Sequence, residues 1–385
     1  MTRPIHVLTI MGTRPEVIKL APVVGALQDA PWAVSRLVVT GQHRELASTM
    51  LETFGLRPDH DLDMMRPNQD QGKLLARMLT RLVPLLRSGS PDLVLAQGDT
   101  TTVLASALAS YHAGIPFGHV EAGLRSHDLS QPFPEEMNRT LAGRLAALHF
   151  APTPRAVSNL LAEGVTAETI HLTGNPVVDM LRRMVEQSSN CPAPVPGMDG
   201  PLLDDVIAGR KTLLLATMHR GENLHGGISQ VTAALLELTS KVPSCVVVWP
   251  VHPNPAVRRA AARLAGIEGV RLLPPLPYPA FLRLLCLARL VLTDSGGVQE
   301  EAVVLGRPVL VLRQVTERPE VLESGLGTVV GTDPTAVVAA ALSRLALPDR
   351  GVCLSGPTPF GEGIAGRRIA DIIRSWWSAR CRRSS

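Results

Sequence analysis

A chain of 385 residues exceeds the roughly 250 at which single hydrophobic cores stop growing, so two domains are expected. An apolar fraction of 45% with 19% charged residues is that of a soluble globular protein. The formal charge of +4 is too small and dispersed for a nucleic-acid surface, and 3% aromatics exclude stacking platforms for single strands.

The five cysteines, Cys191, Cys245, Cys286, Cys353 and Cys381, are far apart and lack paired spacing. That pattern suits reduced thiols in the cytoplasm, with neither a disulfide framework nor zinc. The apolar run at residues 5–11 is too short for a secretory leader, so the chain is expected to start inside its fold. Arg283 and Arg289 interrupt the most apolar later stretch, which falls short of the roughly 20 residues of a membrane helix. No membrane contact is expected.

In chain order, short apolar runs at residues 6–10, 37–40, 93–97 and 117–120 alternate with helical patterns. A second set lies at 213–217, 245–250, 290–293 and 309–312. Such alternation predicts α/β architecture: two Rossmann-like, doubly wound domains facing across a cleft. Residues 187–201, rich in Pro, Ser and Gly, read as a linker or hinge unable to continue a helix. Ligands of open parallel sheets gather beyond the carboxyl ends of the strands, which selects the residues to inspect.

The first strand ends before Gly12, and Pro15 suits the first turn of a helix carrying Arg14 and Lys19. Both cations are candidates for phosphate; the plain alternative is a solvated Lys19 and an Arg14–Glu16 pair. Two later strands lead to Asp99, which alone would be a routine helix cap, and to Glu121, a carboxylate in need of a partner or a function. Glu135 and Arg139 lie four apart on the next helix, where the plain reading is a surface ion pair. Asp99, Glu121 and Glu135 form a candidate acid/base cluster.

In the second half, His219 and His252 follow strands, and Asp294-Ser295-Gly296-Gly297 opens a helix whose backbone N–H groups would suit a diphosphate. Glu301 follows one turn later, within reach of ribose hydroxyls. Two motifs are set aside. Gly361-Glu362-Gly363-Ile364-Ala365-Gly366 matches the dinucleotide fingerprint but has no preceding strand, so no NAD is expected. Asp61-Leu62-Asp63 lies in a polar connection without a ligand cluster, so no metal is expected.

In order, GTRPEVIKLAPV, GQHRE, QGDTTT, GHVEAGLR, PFPEEMNR, MHRGEN, PVHPNP, TDSGGVQEEA, GRPVLVLR and TERPE closely resemble the bacterial non-hydrolysing UDP-N-acetylglucosamine 2-epimerases, from about residue 5 to about residue 375. The resemblance implies a GT-B-type fold: residues 1–172 plus 366–385 as the N-terminal domain with a returning C-terminal helix, and 173–365 as a UDP-binding domain. It implies a cofactor-free homodimer making UDP-N-acetylmannosamine for surface polysaccharide pathways. Carried over by position, Lys19, Asp99, Glu121, Glu135 and His219 are catalytic, and Arg14, Arg139, Phe281, Ser295, Gly296, Gly297 and Glu301 bind the substrate, UDP-N-acetylglucosamine. Gln42, His43, Arg66, Glu136, Arg220 and His252 resemble a site at which a second substrate molecule activates some members.

The residues from Ser126 to Gln131 depart from the family pattern, with Ser-His in place of Thr-Gly. Pro15 with Lys19 stands against the hydrolysing 2-epimerases, whose members usually lack that proline. A UDP-sugar glycosyltransferase rests on fold analogy alone, and a catalytically inactive sugar-nucleotide sensor is opposed by the intact acids.

Overall fold

The computed structural model describes residues 3–41, 44–64, 66, 70–190, 192–198, 200–220, 223, 226–349, 351–354 and 356–383. The chain divides into two compact units, Met1–Met180 with Phe360–Ser385, and Leu181–Pro359. The boundaries expected from sequence fall after residue 172 and before residue 366, eight residues earlier and six later than these. Residues 187–190 do not break a helix as expected: helix Pro176–Asn190 runs through them, because Gln, Ser and Asn are tolerated in the last turn of a helix anchored by Val177, Val178 and Leu181 in its first turns.

The first unit holds seven parallel strands: β1 (Ile5–Met11), β2 (Ala33–Val39), β3 (His60–Asp61), β4 (Leu93–Gln97), β5 (Phe117–Val120), β6 (Leu148–Ala151) and β7 (Ile170–Leu172). Their order is β3-β2-β1-β4-β5-β6-β7. The inner strands are apolar on both faces because helices cover both, as a parallel sheet requires. Asp61 belongs to β3 rather than to a free connection, and its carboxylate accepts the Asp63 N–H at 3.0 Å.

The second unit repeats the plan with β8 (Thr212–Thr217), β9 (Cys245–Pro250), β10 (Val270–Leu273), β11 (Leu290–Thr293), β12 (Val309–Val311) and β13 (Gly327–Val329), ordered β10-β9-β8-β11-β12-β13. Its core centres on Trp249 with Leu214, Leu235, Leu290 and Leu310, all fully buried. In both units the strand order reverses beside the first strand, between β1 and β4 and between β8 and β11. Such reversal points splay the following loops apart and leave room for a ligand. The residues singled out from sequence lie mainly there.

Among the described residues no helix is long and apolar enough to cross a membrane.

Candidate active-site residues

Beyond β1 the chain passes through Gly12 and Thr13 into helix Arg14–Gln28, with Pro15 in its first turn. Glu16 turns back on this start: its carboxylate accepts the Gly12 N–H at 2.5 Å, the Thr13 N–H at 2.7 Å and the Thr100 hydroxyl. It is therefore not the partner of Arg14 that the plain reading supplied. Burial pushes its carboxyl up to about 7, against the hydrogen bonds that favour the charged form. Arg14 is half-buried at the first helical position. Lys19, far from solvated, is 4% exposed and forms an ion pair with Glu121.

Glu121 follows β5 at φ 62°, the left-handed region that disfavours residues with a side chain. Surrounding bonds hold it there. Besides Lys19, the Gln97 side-chain amide donates to it, and the Asn175 amide donates at 2.9 Å. One ammonium and two amide N–H groups thus converge on this buried carboxylate. His119, fully buried on β5, has its Nε2 2.7 Å from the Gly98 carbonyl. Burial pushes this imidazole down to about 3, so it is neutral and Nε2–H is the donor.

Asp99 is not the helix cap. Thr100 takes that place, its hydroxyl accepting the Val103 N–H, which leaves the Asp99 carboxylate for Arg139. Arg139 also donates to Glu136 at 3.1 Å, so Asp99 and Glu136 are both partners of its guanidinium. Helix Glu135–Leu145 turns Glu136, Asn138 and Arg139 inward and leaves Glu135 half-buried at its first position. Arg139 itself is 2% exposed, not a surface residue. Asn138 fixes the approach by donating to the Asp99 carbonyl at 2.9 Å. Lys19 and Glu121, then Gln97 to Asp99 along the chain, then Arg139 and Glu136 thus form one polar chain across the ends of β1, β4 and β5.

The second unit is organised by Asp294, which is fully buried after β11. Its carboxylate accepts the backbone N–H of His219 at 3.1 Å, that of Arg220 at 3.0 Å and the Asn223 amide at 3.0 Å. The His219 Nδ1 lies 3.5 Å from the same carboxylate, and the His219 ring stacks on His252 with centroids 5.6 Å apart. Ser295 occupies the N-cap position of helix Gly296–Val304, and a side chain at Gly296 would overlap the Arg318 guanidinium. Arg318 donates to Glu300 at 2.5 Å and to Glu317, which also accepts from Arg313 at 2.7 Å. Glu301 accepts the Tyr278 hydroxyl at 3.1 Å, while Phe281 is buried on helix Tyr278–Leu287.

Of the expected activator residues, Gln42 and His43 lie outside the described residues. Arg66 is exposed beside Asp63, and Glu136 spends its carboxylate on Arg139 and, at 3.1 Å, the His127 N–H. Sequence reasoning assigned no role to Asp294, Gln97, Asn175 or the Arg313, Glu317 and Arg318 cluster, and offered Glu16 only as a partner of Arg14. All but Asn175 stood inside quoted motifs, and their partners were not visible in the spacing. Among the described residues no group of three or more His, Cys, Asp or Glu side chains is placed to hold a metal ion.

A family model described as UDP-N-acetylglucosamine 2-epimerase matches residues 25–374. A probable UDP-N-acetylglucosamine 2-epimerase of Ralstonia nicotianae is 44% identical, the match covering 97% of this chain and 99% of that protein. Among solved structures, the Neisseria meningitidis UDP-GlcNAc 2-epimerase bound to UDP-GlcNAc superposes with TM-score 0.87 at 35% identity, over 96% of this chain and 100% of that one. The S. aureus MnaA-UDP co-structure gives 0.88 at 38% identity, with 97% of each chain covered.

Proposed function

The chain belongs to the UDP-N-acetylglucosamine 2-epimerase family, and from that premise we propose that it interconverts UDP-N-acetylglucosamine and UDP-N-acetylmannosamine without releasing free sugar. The hydrogen at carbon 2 of the sugar is not adjacent to a carbonyl, so a side-chain base alone cannot remove it. Breaking the bond from carbon 1 to the UDP oxygen, with the electron pair leaving on UDP, gives carbon 1 oxocarbenium character and acidifies that hydrogen. Loss of the proton forms the carbon 1–carbon 2 double bond of 2-acetamidoglucal. Protonation on the opposite face and re-addition of UDP complete the epimerisation.

Asp99, Glu121 and Glu135 supply the base that takes the proton and the acid that returns one. Arg14, Arg139 and the helix start at Ser295, Gly296 and Gly297 hold UDP, with Glu301 toward the ribose and Phe281 behind the uracil. His219, its backbone tied to Asp294, orients the diphosphate. The observation that carries the reading is the buried ion pair of Lys19 with Glu121, which keeps a charged carboxylate at a sheet end where the family's sugar chemistry is expected. Pro15 beside it supports the non-hydrolysing course. Activation by a second substrate molecule on Gln42, His43, Arg66, Arg220 and His252, with Glu136 acting behind Arg139, a homodimer and a cytoplasmic location complete the reading; the ordered motifs support them.

Incubation with UDP-N-acetylglucosamine in deuterated water, followed by NMR, tests it. Deuterium at carbon 2 with UDP still attached is the expected outcome. Accumulation of free N-acetylmannosamine and UDP would assign the hydrolysing reaction instead, and an unchanged sugar nucleotide would leave a binding protein.

A further inference from the structure

Asn175 lies three residues past the end of β7, outside every motif discussed so far, and is 1% exposed. Its side-chain N–H donates to Glu121 Oε1 at 2.9 Å, its side-chain oxygen accepts the Val177 N–H at 3.1 Å, and its backbone N–H donates to the Phe360 carbonyl at 2.7 Å. Phe360 opens the segment by which the chain returns to the first unit. The outgoing and returning segments run side by side here. A side chain on Gly361 would meet the Gly174 Cα at 3.0 Å, and Asp179 accepts the N–H groups of Ala365 at 3.0 Å and Gly366 at 2.9 Å.

We propose that Asn175 is a positioning residue for the epimerisation, aligning the charged Glu121 carboxylate through a donor anchored to the paired chain crossings. Glu121 sits in a left-handed backbone conformation that its fixed contacts must over-determine. Lys19 supplies charge on a flexible stem; Asn175 supplies direction, because its own amide is locked at both ends. Removing the N–H loosens the carboxylate and favours its protonated form.

The inference rests on the proposed reaction, and its test separates the two. Asn175→Asp keeps the oxygen that accepts from Val177 and replaces only the donor toward Glu121, setting two carboxylates against each other. The expected result is a folded protein with a lowered thermal unfolding transition near neutral pH, kcat reduced about 100-fold, KM for UDP-N-acetylglucosamine changed less than about threefold, and the acidic limb of the kcat/KM profile moved upward by at least about one pH unit. Asn175→Ser, which retains a short oxygen acceptor without the amide, serves if the aspartate variant fails to fold. A variant with wild-type kcat and an unmoved acidic limb overturns the proposal, as does a loss confined to KM. A second readout stands apart from turnover: the Glu121 carboxyl resonance in ¹³C-glutamate-labelled protein, assigned with Glu121→Gln, titrates at higher pH in Asn175→Asp. An identical titration in both proteins overturns the inference, while absent turnover in wild type overturns only the proposed reaction.

Discussion

Glu16 and His119 are both fully buried beside the first unit's polar chain, and burial moves them in opposite directions. Glu16 titrates near 7 when folded, above its ordinary 4.5, so the folded state binds the proton more tightly. Its contribution to stability is complete below about 4.5 and is lost as pH rises through about 7. That loss is on the order of 3 kcal/mol. His119, held neutral down to about 3, contributes stability above its ordinary 6.5 that is lost as pH falls. The two oppose each other between about 4.5 and 6.5, so only a difference isolates one of them. Glu16→Gln mimics the protonated carboxyl, and its urea-unfolding free energy is expected to gain on wild type by that amount from pH 4.5 to 7.5. A constant difference would show that Glu16 does not titrate in this range. Neither residue announced itself in the sequence. A capping glutamate and a strand histidine look ordinary until partners 84 and 21 residues away are known. Asp294 is the same case: it stood in a quoted motif, but the N–H groups it gathers lie 71 to 75 residues earlier.

Secondary elements were legible where apolar runs are long and buried on both faces, as in β1, β4, β8, β9 and β11. Others escaped for local reasons. The exposed β3 has two residues, β7 lies half-exposed at the sheet edge, β6 carries His149 among only four residues, and β13 begins with glycine. Short strands of this kind are specified by neighbours rather than by their own pattern. The Gly-rich segment set aside as a false dinucleotide motif finds its explanation at this scale. Gly366 sits in helix Ala365–Arg383, which packs against helix Arg14–Gln28, and a Cβ there would come within 2.7 Å of the Pro22 backbone. Neither backbone yields cheaply. Gly366→Ala is expected to cost about 1–3 kcal/mol in urea unfolding while leaving UDP affinity, measured by calorimetry, unchanged. A stable variant with weakened UDP binding would mean that the glycine serves a nucleotide after all.

Each unit of the molecule repeats one arrangement, a parallel sheet whose order reverses beside its first strand, with polar residues gathered past that reversal. The repeat explains why the strand-end rule found Lys19, Asp99 and Glu121 in one half and His219 and Ser295 in the other. It also explains what the rule missed: Arg318 and Asn175 reach these places from loops far along the chain. The proposal divides the labour accordingly, with sugar chemistry assigned to the first unit's carboxylates and nucleotide retention to the second unit's helix start. Both assignments require UDP to part from the sugar during every productive turnover. Substrate carrying ¹⁸O in the bridge between carbon 1 and the β-phosphorus reports that event. The label is expected to move into the non-bridging oxygens of the β-phosphate as epimerisation proceeds, whereas inversion at carbon 2 with the label still wholly in the bridge would rule out a detached UDP.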